Sequence, residues 1–347
     1  MGFSTIEQQD KILVALSGGV DSSVCVHILQ SQGFSVEAAV IRFSPEHDQA
    51  VADAEKAAQQ LGVNLNVVEG GELFDQEVAL PFCQQYCEGK TPNPCVVCNP
   101  LVKFRLLAET ADQLGIHLIA TGHYVRVEQD DDGFWRVHAA DSTVRDQSYM
   151  LHRLGQDILS RLVTPLGDFE KPDVREIARE LGLSSADAPD SMEICFIPDG
   201  DRAAYIQNRG FQSQAGHFIG PEGQDLGPHK GVLNYTVGQR KRLGVALGKP
   251  LFVQNIQPNG NIQLAWGGGE FFTRLTLESL STASGSPLLA GDYQVKVRSA
   301  AAAVSCRFDG TNTLLFPEPV RAPAPGQSAV FYQGDTVLGG GFIRSVE

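Results

Sequence analysis

A run of aliphatic residues, Ile12-Leu13-Val14-Ala15-Leu16, ends abruptly in Ser17-Gly18-Gly19-Val20-Asp21-Ser22-Ser23. An apolar run closed by glycines and hydroxyl residues predicts a buried strand, a tight turn and a helix start. Glycines let the backbone approach a phosphate closely, and a helix N-terminus offers unpaired N–H groups to an anion. Ser17, Ser22 and Ser23 add hydroxyls, and Asp21 is placed to help hold a metal ion on the phosphates. The spacing is neither G-x-x-x-x-G-K-[ST] nor G-x-G-x-x-G, so the Walker loop and the dinucleotide turn are both excluded. An ordinary Gly-Gly turn explains two glycines but not the whole seven-residue string.

The segments that follow repeat the strand–helix alternation. The pattern predicts strands over 12–16, 36–42, 65–68 and 117–121, and helices over 20–32, 49–61 and 101–114. Gly33, Gly62 and Gly115 stop the helices. Strands separated by helices imply a parallel sheet covered on both faces, with ligands beyond the carboxyl ends of the strands. The loop at Ser17, the region near Phe43, and Thr121-Gly122-His123-Tyr124 all fall there. After about residue 200, glycine and proline become frequent. Short alternating runs at 251–256, 293–297, 313–316 and 329–332 predict antiparallel strands in small β-rich domains. Gly267-Gly268-Gly269 marks a boundary.

The chain has 347 residues, 42% of them hydrophobic and 20% charged, an ordinary globular composition with room for two or three domains. No apolar leader or membrane-length apolar stretch is present, so a soluble cytoplasmic protein is expected. The net charge of −14 argues against broad nucleic-acid binding. The charge is uneven, however. Residues 201–250 hold Arg202, Arg209, Lys230, Arg240, Lys241, Arg242 and Lys249 against Asp201, Glu222 and Asp225. A local basic patch on an acidic chain suits a structured polyanion, although a solvated surface explains the charge equally well.

Seven cysteines, an odd number, argue against a disulfide framework. Four of them, Cys83, Cys87, Cys95 and Cys98, crowd together. Thr91-Pro92-Asn93-Pro94-Cys95-Val96-Val97-Cys98-Asn99 puts two of these on a stiffened turn before a helix. A helix N-terminus lowers a thiol's pKa, so more thiolate is expected there. Cys195 lies in Asp190-Ser191-Met192-Glu193-Ile194-Cys195-Phe196-Ile197. Cys25 and Cys306 read as small buried apolar residues.

The string 17–23 resembles the pyrophosphatase loop of the ATP-pyrophosphatase superfamily, whose members cleave ATP between its α and β phosphates and adenylylate an oxygen. Together with residues 91–104, 120–124, 146–149, 171–183, 190–197, 236–244 and 325–332, it resembles the bacterial tRNA-specific 2-thiouridylases over nearly the whole chain. The resemblance implies an α/β fold. An adenine-nucleotide α-hydrolase-like, parallel-sheet ATP-pyrophosphatase domain (1–200) would be followed by a small central β-rich tRNA-binding domain (201–268) and a C-terminal β-barrel (269–347). It also implies a reaction: ATP adenylylates the C2 oxygen of the wobble uridine, and sulfur from a cysteine persulfide replaces it. Adenylylation matters because a uracil carbonyl oxygen leaves poorly until it carries AMP.

By position, Cys195 resembles the family's persulfide cysteine and Cys98 its second catalytic cysteine. The two would end as a disulfide that an external reductant opens. The resemblance assigns ATP, with Mg2+, to Ala15, Leu16, Ser17, Gly18, Gly19, Val20, Asp21, Ser22, Ile41 and Gly122. It assigns tRNA to Asn93, Pro94, Cys95, His123, Arg145, Asp146, Gln147, Arg298 and Gln327. The implied partners are tRNA, a reductant and a sulfur donor such as a cysteine desulfurase or sulfur-relay protein.

The chain departs from the family at three places. Cys95 stands where well-known members carry an aspartate, Arg298 is followed by Ser299 rather than tyrosine, and the region 43–49 is short. The resulting Cys95-Val96-Val97-Cys98 motif opens a rival route, a [4Fe–4S] cluster on Cys95, Cys98 and Cys195. A structural zinc on Cys83, Cys87, Cys95 and Cys98 is a further reading. Two other function classes remain open at this point: an ATP-pyrophosphatase synthetase acting on a small molecule, and a non-catalytic tRNA-binding protein.

Overall fold

The computed structural model describes residues 10–142, 144–190, 194–197 and 199–347. Its first layer is a parallel sheet. Strand β1 (Lys11–Ala15) leads through helix α1 (Val20–Ser31) to β2 (Ser35–Arg42). Helix α2 (Asp48–Leu61) then leads to β3 (Asn64–Glu69). The chain crosses back to β4 (Leu118–Thr121) on the other side of β1, and the two-residue β7 (Leu162–Val163) forms the far edge. The spatial order is therefore β3-β2-β1-β4-β7.

Ile12, Leu13 and Val14 are fully buried. Ile12 and Val14 pack with Cys25, Leu29 and Ala57 on one face, and Leu13 packs with Phe104, Leu107 and Ala111 on the other. Both faces of β1 are covered, which is why its sequence is an unbroken apolar run rather than an alternating one. Strand order reverses between the parallel β1 and β4, which makes their carboxyl ends the switch point, where Ala15 lies beside Thr121.

The helix expected over 101–114 is longer and less regular. Helical structure starts at Pro94–Cys98, widens into a π segment at Asn99–Lys103, and continues as Phe104–Gln113. Pro100 has no N–H to give to the preceding turn, and a widened turn absorbs that loss. Several elements have no counterpart in the sequence expectations, two of them next to the site. One is the helical run from Gly71 to Cys87. The other is the hairpin of β5 (Val125–Gln129) and β6 (Trp135–Ala139).

Residues after 200 form two sheets. His217–Ile219, Asp225–Pro228, Leu251–Ile256 and Ile262–Trp266 make the central one. The C-terminal strands close on themselves, because Phe271–Thr282 pairs with both Thr313–Arg321 and Thr336–Val346. Six strands thus make a barrel around Leu275, Val295, Phe308, Phe316, Phe331 and Ile343. Cys306 is buried in that core and Cys25 beneath the parallel sheet, as small apolar residues.

The barrel is bound tightly to the first domain. Strand β6 joins its sheet through Thr336 opposite His138. Lys296 pairs with the buried Asp146 at 2.8 Å, and the Tyr149 hydroxyl donates to the Ser328 carbonyl at 2.8 Å. Asp146 also accepts from the Ser148 amide and hydroxyl. Removing one partner of such a buried pair leaves a charge unsatisfied. Asp146→Ala is therefore expected to cost about 3–5 kcal/mol in urea unfolding, and a loss below about 1 kcal/mol would contradict this account.

Candidate active site

The loop after β1 is built from its own hydroxyls. The Ser17 amide donates to Ser22 Oγ at 3.1 Å, and the Ser22 and Ser23 hydroxyls donate to the Gly19 carbonyl. Helix α1 has no side-chain cap at Gly19, so its first amides are not claimed by a capping side chain. Gly18 has φ +77° and lies against α2. A Cβ there would come within 2.4 Å of the Asp53 carbonyl carbon. Gly122, after β4, lies so close to α1 that its Cβ would fall 2.9 Å from the Asp21 and Ser22 backbone. Ile41, at the end of β2, is buried against Phe43 and Phe74. The expected ATP residues Ala15, Leu16, Ser17, Gly18, Gly19, Val20, Asp21, Ser22 and Gly122 thus lie together, and Ile41 closes the neighbouring strand end.

Asp21 is not an open metal ligand. Lys171 Nζ reaches its two oxygens at 2.6 and 2.7 Å, and the Tyr124 hydroxyl donates to it at 2.7 Å. Lys171 also contacts Asp190 at 3.1 Å, and Asp190 in turn holds Arg145 and Arg175, each at 2.8 Å. Burial pushes the Tyr124 phenol up and the Asp21 charge pushes it further, so it stays neutral. Burial alone would raise Asp190, but the hydrogen bond and charge of Lys171, with Arg145, hold it below the ordinary carboxylate value. The sequence expectations assigned no role to Lys171, Tyr124 or Asp190. One signal was present: a lysine at the first position of helix Lys171–Glu180 opposes the helix dipole, so it needs a local anion.

The second group of residues carries sulfur. Asn93 caps Pro94–Cys98 by accepting the Cys95 amide at 3.1 Å, and its amide nitrogen lies 3.3 Å from the Met150 sulfur. Pro94 is buried at the first helical turn. Cys95 and Cys195 are solvent-exposed, whereas Cys98 is buried. The expectation of low thiol pKa values does not hold. Desolvation raises Cys98 to about 12 and Cys195 to about 11, and it raises Cys95 as well. Cys95 and Cys195 are exposed, so water offsets part of the rise at these two, whereas Cys98 feels it in full. Cys98 is the fifth residue of the helical run 94–113, past the first turn in which the dipole acts, so burial outweighs it.

The three thiols act on one another electrostatically, and Lys103 opposes the rise at each. The same Lys103 charge bears on His123, which burial pushes down to about 3 and keeps neutral. His123 stacks on Phe104 and bonds Thr121 Oγ1 through Nδ1 at 2.8 Å. Lys103 and His123 thus connect the thiols to Gly122, and Gly122 connects them to the loop. Among the described residues, no three His, Cys, Asp or Glu side chains converge on a metal-sized site. The zinc reading fails at the other cysteines too: Cys83 is packed in an aromatic core and Cys87 faces the Gln212 carbonyl. Ser191, Met192 and Glu193 of the string around Cys195 lie outside the described residues.

The remaining expected tRNA residues are engaged within the protein. Arg145 is on Asp190, Asp146 on Lys296, and Gln147 accepts the Tyr124 amide at 2.9 Å. Arg298 donates to the Ala322 and Val237 carbonyls, and Gln327 to the Thr91 carbonyl at 2.7 Å. Within the basic window, Arg202 and Arg209 are used internally, on the Leu233 carbonyl and Asp75. Lys230, Arg240, Lys241, Arg242 and Lys249 are exposed.

A parallel sheet with a glycine–hydroxyl loop at its switch point, joined to a small β domain and a six-stranded barrel, defines a three-domain nucleotide-site protein. Three family models match in that order: a tRNA methyl transferase HUP domain over 10–199, a tRNA methyl transferase PRC-barrel domain over 204–264, and an aminomethyltransferase β-barrel domain over 272–343. The tRNA-specific 2-thiouridylase MnmA of Acetivibrio thermocellus is 38% identical, covering 96% of this chain and 99% of that protein. Those of Clostridioides difficile and Carboxydothermus hydrogenoformans are 36% and 38% identical, each over 96% of this chain and, respectively, 98% and 97% of theirs. The chain belongs to the tRNA-specific 2-thiouridylase family.

Two outcomes test the site. Gly122→Ala pushes a methyl into the α1 backbone and is expected to weaken ATP binding about tenfold or more, by calorimetry; unchanged affinity would refute the close approach. At pH 7.5 the thiolate fractions of Cys195 and Cys98 are expected to lie below that of an ordinary cysteine by about 100-fold and 1000-fold. Iodoacetamide labelling at each should therefore rise with pH beyond 10, and a plateau near pH 8 would contradict the raised values.

Proposed function

We propose that this protein is an ATP-dependent tRNA-uridine 2-sulfurtransferase that works through a cysteine persulfide. The observation that carries the reading is the junction at Gly122 and His123. The first packs on the nucleotide loop, and the second stacks on Phe104, which belongs to the helical run that carries Cys95 and Cys98. An activated oxygen and a sulfur carrier must meet at one carbon, and here the two halves adjoin.

The uridine C2 oxygen attacks the α phosphate of Mg-ATP, and pyrophosphate leaves from the loop. The uncapped first turn of α1 and the Ser17 and Ser22 hydroxyls hold the phosphate charge as it develops. Cys195 carries the sulfur as a persulfide. The Cys98 thiolate attacks its inner sulfur and forms a Cys98–Cys195 disulfide. The released sulfide adds at C2, and AMP departs with the oxygen. An external reductant supplies two electrons to reopen the disulfide. A cysteine desulfurase or sulfur-relay protein reloads Cys195. Cys98 enters this sequence mostly protonated, so its proton must leave during the step. Lys103 favours the resulting thiolate, and Cys95 is the neighbouring thiol through which a proton can pass.

A cluster on Cys95, Cys98 and Cys195 is the alternative route. Among the described residues, these cysteines do not form a three-ligand group. The exposed cations Lys230, Arg240, Lys241, Arg242 and Lys249 fit tRNA phosphates. Asn93, Pro94, Cys95 and His123 are the residues that the family resemblance assigns to the target base. Free thiols at all seven cysteines fit a reducing cytoplasm, and among the described residues no helix is long and apolar enough to cross a membrane.

Anaerobic protein given tRNA, Mg-ATP and a persulfide source is expected to yield 2-thiouridine by nucleoside mass spectrometry. Cys98→Ser and Cys195→Ser should lower the yield at least about 100-fold. If protein that binds ATP and tRNA makes none, the reading fails. Metal-free wild-type protein is expected to turn over and Cys95→Ala to slow it without abolishing it, and strict dependence on iron would transfer the chemistry to the cluster.

A further inference from the structure

We propose that Gln327 is a positioning residue for sulfur transfer, and that through it the barrel sets where Cys95 and Cys98 stand. This deepens the persulfide reading and rests on it.

The turn that carries these cysteines begins at Thr91, and the barrel holds it there by its main chain. The Thr91 amide donates to the Pro325 carbonyl at 2.8 Å, and Gln327 Nε2 donates to the Thr91 carbonyl at 2.7 Å. Both backbone groups of one residue are thus claimed by a single distant segment. Between the two bonds Gly326 lies flat on the turn, where a Cβ would fall 3.1 Å from the Thr91 and Pro92 nitrogens. Thr91 is buried, yet among the described residues its hydroxyl has no partner. A buried hydroxyl goes unpaired only at a cost, so the main-chain bonds, and not the side chain, fix this position.

The clamp is itself anchored. The Gly326 amide donates to the Ile343 carbonyl at 2.9 Å, and the Ile343 amide donates to the Gln327 carbonyl at 2.7 Å. Ile343 belongs to the barrel core. The next residue, Ser328, bonds the Tyr149 hydroxyl twice, through its carbonyl at 2.8 Å and its amide at 3.1 Å. Met150 follows Tyr149 and meets the turn a second time. Its carbonyl accepts from Asn99 at 2.9 Å, and its sulfur lies 3.3 Å from the Asn93 amide nitrogen. Two consecutive barrel residues therefore hold the turn on both sides of its cysteines, Gln327 directly and Ser328 through Tyr149 and Met150.

Cys95 and Cys98 follow Thr91 by four and seven residues, with Pro92 and Pro94 between. Each proline fixes its φ, so the segment absorbs little of a shift at Thr91 and passes the rest on to the thiols. Misplacing a reacting atom by about 1 Å costs about 100-fold in rate. Because the hold is on peptide groups, the cysteine side chains stay free to react. The resemblance assigns Gln327 to tRNA, whereas its side-chain bond goes to the thiol turn.

Gln327→Met keeps the length of the side chain and removes the donor. Persulfide-loaded protein, Mg-ATP and a tRNA transcript provide the test. At saturating tRNA the variant is expected to form 2-thiouridine about tenfold or more slowly in a single turnover, while tRNA affinity and pyrophosphate release change less than about twofold. A wild-type transfer rate at saturating tRNA overturns the proposal, because Gln327 would then act on RNA alone or not at all. An equal loss of pyrophosphate release also overturns it, because adenylylation does not use the thiols. Hydrogen exchange on unmutated protein guards against a variant that misfolds. The Thr91 amide is expected to be as protected as those of strand Ser328–Gln333, and ready exchange refutes the clamp. Wild-type protein that forms no 2-thiouridine refutes the sulfurtransferase reading and the positioning role with it, while a protected Thr91 amide leaves the clamp standing, so the two failures are told apart.

Discussion

The close approach of Gly122 to the first turn of α1 is the constraint on which the site depends. It exists because β1 and β4 are parallel neighbours, with Ala15 beside Thr121. A side chain at residue 122 would separate the two strand ends. The nucleotide loop belongs to the first strand end, whereas His123, Phe104 and Lys103 bring the thiols to the second. The nucleotide-type loop and the cysteine-bearing helical run are therefore set beside each other by one backbone contact.

The thiols show a tension between protection and reactivity. Desolvation keeps Cys98 and Cys195 protonated, which shields a sulfur carrier from adventitious oxidation and alkylation. The same desolvation makes the nucleophile weak until a proton is removed. The Lys103 charge opposes the rise at all three thiols, so it limits how far that protection goes.

The nucleotide loop was legible because its whole signal is local: an apolar run, two glycines and clustered hydroxyls, all within twelve residues. The ends of α1 and α2 were legible for the same reason, through Gly33 and Gly62. Lys171 was not, because its partner Asp21 is 150 residues away and the pairing is created by the fold. The thiol pKa values were misjudged because a helix N-terminus can be read from sequence, whereas the burial that outweighs it cannot. The hairpin 125–139 carries an alternating pattern and a Gly133 turn. Nothing in that pattern says that its edge will meet Thr336. Arg145, Asp146, Gln147, Arg298 and Gln327 are all polar residues whose hydrogen bonds within the protein only the assembled structure reveals.

That hairpin has a consequence for how the two domains are joined. Strands β5 and β6 leave the first domain and run on into the barrel's sheet, so a backbone ladder crosses the domain border. With Asp146–Lys296 and Tyr149–Ser328 alongside it, the border behaves as one solid piece, without a swivel. The parallel-sheet domain and the barrel are thus coupled through main-chain hydrogen bonds as well as side chains, so a load placed on one passes directly into the other.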